Sequence, residues 1–482
     1  MTVVNVALPE IQADLDASFS ELQWVIDAYA LVLGVILLTA GALADRVGRR
    51  RVFVLGLAVF TVASLLCALA RSPLLLDVAR GLQGLGGAAM FATSLALLAE
   101  EFAPRERGFA LGVWGAISGG ALAVGPLVGG ALVDGPGWRW VFLLNLPLGV
   151  ALIAASARLR ESRDPRPRRA DWAGVATFTI AAFALVFALI RVNAEGWGSP
   201  PIVGALAGGA AMLAVFVRVE LRAQDPMLDL RLFGIPAFSG TAIVAFAQSF
   251  ALYPMFLFLA LFFQQVLEYT PWETGLRLLP VTAVLFAVAP LSGRLTGRVP
   301  LRFPLAAGLA LIGTGLLLMR AVQPGSAWTA LLPGFLVGGL GIGVISPALT
   351  AAMVGVLPVE RAGLASGINN TFRQLGIAVG IAALGAVFQH RIASTVTAAL
   401  SPSPGGEAGE LGQLVAQGRL EEALAAGGGT GAELATAAEL GFIRGLDDIF
   451  LVAAAVALVA VPAALALVRP PPEAPSPLTD CG

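Results

Sequence analysis

The chain of 482 residues has no lysine, one histidine (His390), two cysteines and three tyrosines, and only 13% of its residues are charged. Each shortage excludes something. A soluble domain carries about 25% charged residues, so this chain is not one. Cys67 lies in an apolar run and Cys481 at the extreme tail, which gives no disulfide pairing, and a single histidine leaves no Cys/His spacing for a metal. No GxxxxGK[ST] string is present, so no P-loop nucleotide site is expected. Nor do a nucleophile, a base and an orienting group converge anywhere, so the chain reads as neither an enzyme nor the carrier of a cofactor. The absence of lysine makes every basic side chain an arginine, which reads as a coding bias and not a chemical requirement. With a net charge of -1 and its arginines in short stretches beside apolar segments, the chain is not read as a nucleic-acid binder.

What is present is apolar length. Hydrophobic residues make up 57% and mean hydropathy is +0.85. Stretches long enough to cross a bilayer, about 20 residues each, fall near 22–43, 52–70, 74–98, 108–133, 138–158, 172–192, 201–218, 236–263, 274–296, 303–321, 327–353, 361–388 and 446–468. A shorter one at about 1–12 makes fourteen. About a dozen helical residues rise some 18 Å against a hydrocarbon core of about 30 Å, so this first helix does not span, and the native start is expected upstream of Met1. Pro9, Glu10 and Asp14 interrupt any signal-peptide core. Basic residues resist translocation. Arg46 to Arg51, Arg105, Arg107, Arg158 to Arg169, Arg218 to Arg231, Arg294 to Arg302, Arg361 and Arg469 all fall on one side if both termini are cytoplasmic. The chain then divides into a first six-helix bundle (1–159), a basic linker with two additional helices (160–235), a second six-helix bundle (236–468) and a cytoplasmic tail (469–482). The second bundle includes a long extracellular connection, 389–445, left open between partly helical and disordered.

Between the second and third stretches the chain reads GALADRVGRRR, Gly41 to Arg51. Here Asp45 is set among Arg46, Arg49, Arg50 and Arg51, with Gly41 and Gly48 permitting a tight turn. Asp45 is expected to pair with an arginine or to cap a helix N-terminus. A weaker echo, GRLTGRVPLR, runs from Gly293 to Arg302 with Gly297 in the place of Asp45 and Pro300 in that of Gly48, implying two related halves. The fourth stretch contains Arg80-Gly-Leu-Gln83-Gly84, and an arginine inside an apolar helix costs about 2.5–3.5 kcal/mol on insertion scales, so it is functional or paired. The fifth contains Gly125-Pro126-Leu-Val-Gly129-Gly130, in which the proline kinks and the glycines allow close helix approach.

The loop string resembles the signature of the major facilitator superfamily, the Arg80 string its intramembrane arginine motif, and GPLVGG the antiporter motif of its drug exporters. TVVNVALPEI (2–11), GWRWVFLLNLPLG (137–149), QQVLEYTPWETGLRLLP (264–280) and ERAGLASGINNTFRQLGIAVG (360–380) resemble the fourteen-helix drug:proton antiporters. The resemblance implies an all-α membrane protein of the major facilitator fold, two six-helix bundles and two extra central helices. It departs from that family in one place: the aspartate that usually stands two residues before Thr2 would precede Met1. Asp27 in the second helix is then the best remaining proton-binding carboxylate, tuned by Arg80. Asp77 is assigned instead to an i,i+3 pair with Arg80. Gln83, Asn145, Gln264, Asn369 and Arg373 are candidate cavity residues, and Trp138, Trp140 and Phe142 are expected in an interfacial belt. The implied function is a monomeric, plasma-membrane exporter of amphipathic compounds, cationic or lipophilic, in exchange for protons across the lipid bilayer. The rivals are a dedicated exporter of one metabolite and a non-transporting sensor or anchor.

Overall fold

A computed structural model describes residues 2–101, 124–163, 171–295, 298–355, 362–400, 408–427 and 431–468. The described part is helical, with no β-strand, as a chain in lipid must be when each backbone N–H and C=O has to find its partner within the segment. In chain order the helices are α1 (Thr2–Leu15), α2 (Phe19–Val47), α3 (Arg49–Ala68), α4 (Pro73–Glu101), α5 (Val124–Asp134), α6 (Arg139–Ser156), α7 (Trp172–Glu195) and α8 (Pro200–Glu220). Then follow α9 (Pro236–Leu261), α10 (Pro271–Leu295), α11 (Arg302–Met319), α12 (Leu332–Gly355), α13 (Ala362–Leu400), α14 (Ala408–Ala416), α15 (Leu420–Gly427) and α16 (Gly431–Leu467). Among the described residues eleven helices are long and apolar enough to cross a membrane, and each of the fourteen expected stretches coincides with a helix or part of one. Most of the fifth stretch, Arg105, Arg107, Gly297, Arg361, Arg469 and the tail lie outside the described residues.

α2, α3 and α4 pack on one another, α6 leans on α3, and α7 pairs with α8. A second group joins α9 to α13 and α16, α10 to α12, and α11 to α12 and α16. The two groups meet where α13 runs along α2, with α7 against both. Small residues make the crossings close: a Cβ on Gly315 of α11 would stand 2.6 Å from the backbone nitrogen of Gly338 in α12. In lipid such contacts, and not the hydrophobic effect, bring helices together.

Two local expectations change. The connection expected at 389–445 is helical over most of its described residues: α13 runs on to Leu400, α16 begins at Gly431, and α14 and α15 lie between them. Hydropathy fades near His390 and Arg391, but the Ala-rich sequence keeps helix propensity, and His390 is an exposed side chain within α13. Trp138 and Phe142 are each 1% exposed and stack edge-to-face in the core, leaving only Trp140 facing outward. The Trp138 indole donates to Asp14 Oδ2 at 3.2 Å, so burial leaves its N–H satisfied.

Candidate functional site

The Gly41–Arg51 string forms the end of α2, a sharp turn and the start of α3. Gly48 has φ +127°, a region unfavourable to residues with a Cβ, and is at once the last cap of α2 and the first of α3. Asp45 pairs with Arg49 at 3.0 Å, one turn on, so the carboxylate stays within its own loop. Arg46 is exposed, and a Cβ on Gly41 would touch only Ala92. A residue not foreseen joins the turn: Glu161, past the end of α6, accepts the backbone N–H of Arg50 at 3.1 Å and faces Arg51 at 3.6 Å. It places an acidic group at the N-terminus of α3, where the helix dipole favours one.

About twenty residues away along α2, at the opposite half of the helix, the buried ionisable groups collect. Arg80 on α4 is 4% exposed. Its Nε donates to the Val25 carbonyl on α2 at 2.8 Å and its Nη1 to Gln83 Oε1, and its guanidinium lies 4.4 Å from the Tyr29 ring centre. Gln83 in turn donates to Ser64 Oγ on α3 at 2.7 Å, which also accepts Asn145 Nδ2 from α6 at 3.3 Å. Three predicted residues, Arg80, Gln83 and Asn145, thus belong to one network across α3, α4 and α6. Its link is Ser64, whose only trace in the sequence is a hydroxyl in a long apolar run. Hydrogen bonds to a charged group contribute about 1.5–3 kcal/mol each, enough to offset the cost of holding Arg80 in a membrane helix. Arg80 Nη2 is buried and has no partner among the described residues.

Asp27 is fully buried, and neither carboxylate oxygen has a hydrogen-bond partner among the described residues. The hydrogen bonds of Arg80 go to Val25 and Gln83, and the expected Asp77–Arg80 pair does not form; Asp77 Oδ1 is likewise buried without a partner among the described residues. Tyr29, half-buried beside the network, is the aromatic face the sequence reading missed.

The antiporter-type string sits at a different place. A Cβ on Gly129 would come within 2.7 Å of the Val3 carbonyl of α1, one on Gly130 would strike the Pro271 carbonyl of α10, and one on Gly275 would lie 2.6 Å from the Pro126 carbonyl. Gly125 and Pro126 are buried in the same contact. These crossings close the end of the bundle opposite the Gly48 turn. Gln264 belongs to this closure: it lies in the π-turn Phe262–Val266 and donates to the Val6 carbonyl at 2.9 Å. Gln23 on α2, also unforeseen, donates to the Ile381 carbonyl of α13 at 2.8 Å. Deeper along the same seam Thr371 donates to the Gly34 carbonyl at 2.9 Å. Asn369 is fully buried and Arg373 half-buried on this stretch of α13, with Arg373 Nε buried and without a partner among the described residues. Between α9, α10, α11 and α12 lies a cavity lined by apolar residues alone, among them Met255, Phe256, Val281, Ile312, Phe335 and Ile342.

A helical bundle of this length, with an arginine and a carboxylate buried in paired helices and backbone-tight crossings at one end, is of the class of polytopic membrane transporters. The model of the Major Facilitator Superfamily matches residues 1–381, and the chain belongs to that superfamily. The chain is 40% identical to the multidrug resistance protein Stp of Mycobacterium tuberculosis, over 83% of this chain and 74% of that one. It is 34% identical to the tetracenomycin C resistance and export protein of Streptomyces glaucescens, over 96% of this chain and 88% of that one. Among solved structures, a bacterial homolog of the human lysosomal transporter Spinster, inward-facing and unoccupied, superposes with TM-score 0.60 at 20% identity, covering 98% of this chain and 95% of that chain. That likeness concerns the fold.

Proposed function

We propose that this protein is a proton-coupled antiporter that exports drugs or other amphipathic small molecules across the plasma membrane. The observation that carries the proposal is Asp27: a fully buried carboxylate without a hydrogen-bond partner among the described residues, on the helix that also abuts the Arg80 network. A carboxylate so placed can exist in two protonation states with different surroundings, which is what proton exchange requires. Resistance and export are what the relatives are named for, and they support the direction of transport. The arginine-rich turn at Gly48 lies in the cytoplasm, as do both termini, because arginines near helix ends resist translocation.

In this reading the glycine-lined crossings at Gly129, Gly130 and Gly275 close the outer end. Rocking of the two helix groups then exposes Asp27 alternately to either side, as in transporters built from repeats. The test is ethidium flux in liposomes holding the full chain under an imposed pH gradient. Wild-type protein is expected to move the dye against its gradient, and Asp27→Asn to bind it but lose the pH-driven component. Equal flux with and without the pH gradient refutes proton coupling.

A further inference from the structure

The sequence gives Asp77 no task beyond pairing with Arg80, and the structure removes that task. Its position supplies another. α2 and α4 run parallel in register: Arg80 reaches the Val25 carbonyl, and a Cβ on Gly84 would stand 2.6 Å from the Tyr29 carbonyl. Residues 77 and 22 are therefore level, and Asp77 lies five residues, or about 7.5 Å, nearer the far end of the bundle than Asp27. Among the described residues Asp77, half-buried, has no partner for Oδ1, and Asp27, fully buried, has none for either oxygen. The other titratable groups near the two aspartates are Glu21 and Tyr29 of α2, Cys67 of α3, Arg80 of α4 and Arg373 of α13. Glu21 accepts the Ser18 backbone N–H and hydroxyl at 2.7 Å each, and Arg80 is already committed to Val25 and Gln83. No cation pairs with either aspartate among the described residues.

We infer that Asp77 is the relay through which protons reach Asp27 from the outer aqueous phase. The inference rests on the reading of Asp27 as the proton carrier. Asp77 as the carboxylic acid releases its proton to intervening water, and that water protonates the Asp27 carboxylate. The Asp77 carboxylate is then reprotonated from the outer solution; each transfer moves one proton and no electrons.

A relay sets a rate and leaves the equilibrium alone, and this separates it from a structural or purely electrostatic role. The experiment follows the infrared carboxyl C=O band of the full chain in liposomes after a sudden drop of external pH, the Asp27 component being the one lost in Asp27→Asn. In Asp77→Asn that component is expected to reach the wild-type amplitude about a hundredfold more slowly, the low end of what a positioned proton-transfer group contributes. Asp77→Glu is expected to restore the rate. A wild-type rate in Asp77→Asn, or a changed final amplitude, overturns the relay, and so does failure of Asp77→Glu to restore the rate. Loss of no band in Asp27→Asn is a separate result, which overturns the proton-carrier reading and the relay with it.

Discussion

The helices up to α6 and those from α9 onward use their interiors in opposite ways. In the first group the helices α3, α4 and α6 bring together Arg80, Gln83, Ser64 and Asn145 in one hydrogen-bonded network, with Asp77 three residues from Arg80 on α4 and Asp27 buried on α2. In the second group the corresponding space between α9, α10, α11 and α12 is a cavity without a single polar side chain in its lining. Polar groups of the second group sit mainly on α13, where it faces α2: Thr371 reaches the Gly34 carbonyl, and Gln389 donates to the Gln23 side chain at 3.4 Å. A buried polar network is worth its cost only when every member is satisfied, because an unpaired one is penalised in low dielectric. The first group meets that condition for the Gln83–Ser64–Asn145 chain and leaves Asp27, Asp77 Oδ1 and Arg80 Nη2 without partners among the described residues. On the proposed reading the polar wall of the first group handles protons, and the second group, apolar inside, meets it along the α2–α13 seam.

The contrast can be broken at its closure first. Gly130→Val places side-chain atoms against the α10 backbone at Pro271 and Trp272, which cannot yield as a flexible side chain would. An overpacking penalty of up to about 3 kcal/mol then falls on the closed outer end, and ethidium efflux from cells is expected to drop about a hundredfold at normal expression. The next largest effect lies within the network. Gln83→Leu removes the acceptor of Arg80 Nη1 and the donor to Ser64, at a cost of about 1–2 kcal/mol, and is expected to lower pH-driven flux about tenfold. Normal flux in Gln83→Leu would mean that the network serves folding alone. In the apolar wall, Phe335→Ala, at a residue 1% exposed in the cavity, is expected to change which compounds are exported, by several-fold, with the dependence on pH gradient intact. A changed pH dependence there would dissolve the division of labour. The smallest effect concerns the loops. Arg46→Ala is expected to slow transport measurably and Arg298→Ala, in the echo without an aspartate, to leave it near wild type. Equal losses would show the two turns to be equivalent.

Much of this was readable from the residues because each helix announces itself by apolar length. The expected 172–192 and 303–321 became Trp172–Glu195 and Arg302–Met319, and the glycine of the Gly48 turn was legible from its flanking charges. The charged outer extensions of α13 and α16 were not, because hydropathy registers a membrane boundary and not the end of a helix. Partner choice was equally hidden. Arg80 carries Asp77 three residues back on its own helix, yet its geometry serves a carbonyl on α2 and a glutamine one turn forward. Ser64, Tyr29 and Gln23 matter through neighbours brought up by packing, which no spacing along the chain reveals.

Whether the carboxylate of α2 exchanges protons for substrate is decided by running the pump in reverse. Liposomes containing the full chain and a lumenal pH dye are given an ethidium gradient with no pH gradient imposed. Proton movement opposite to the dye is expected in wild type and none in Asp27→Asn, although the variant binds the dye equally well. Dye movement in wild type without counter-movement of protons, or undiminished proton movement in Asp27→Asn, would contradict the exchange.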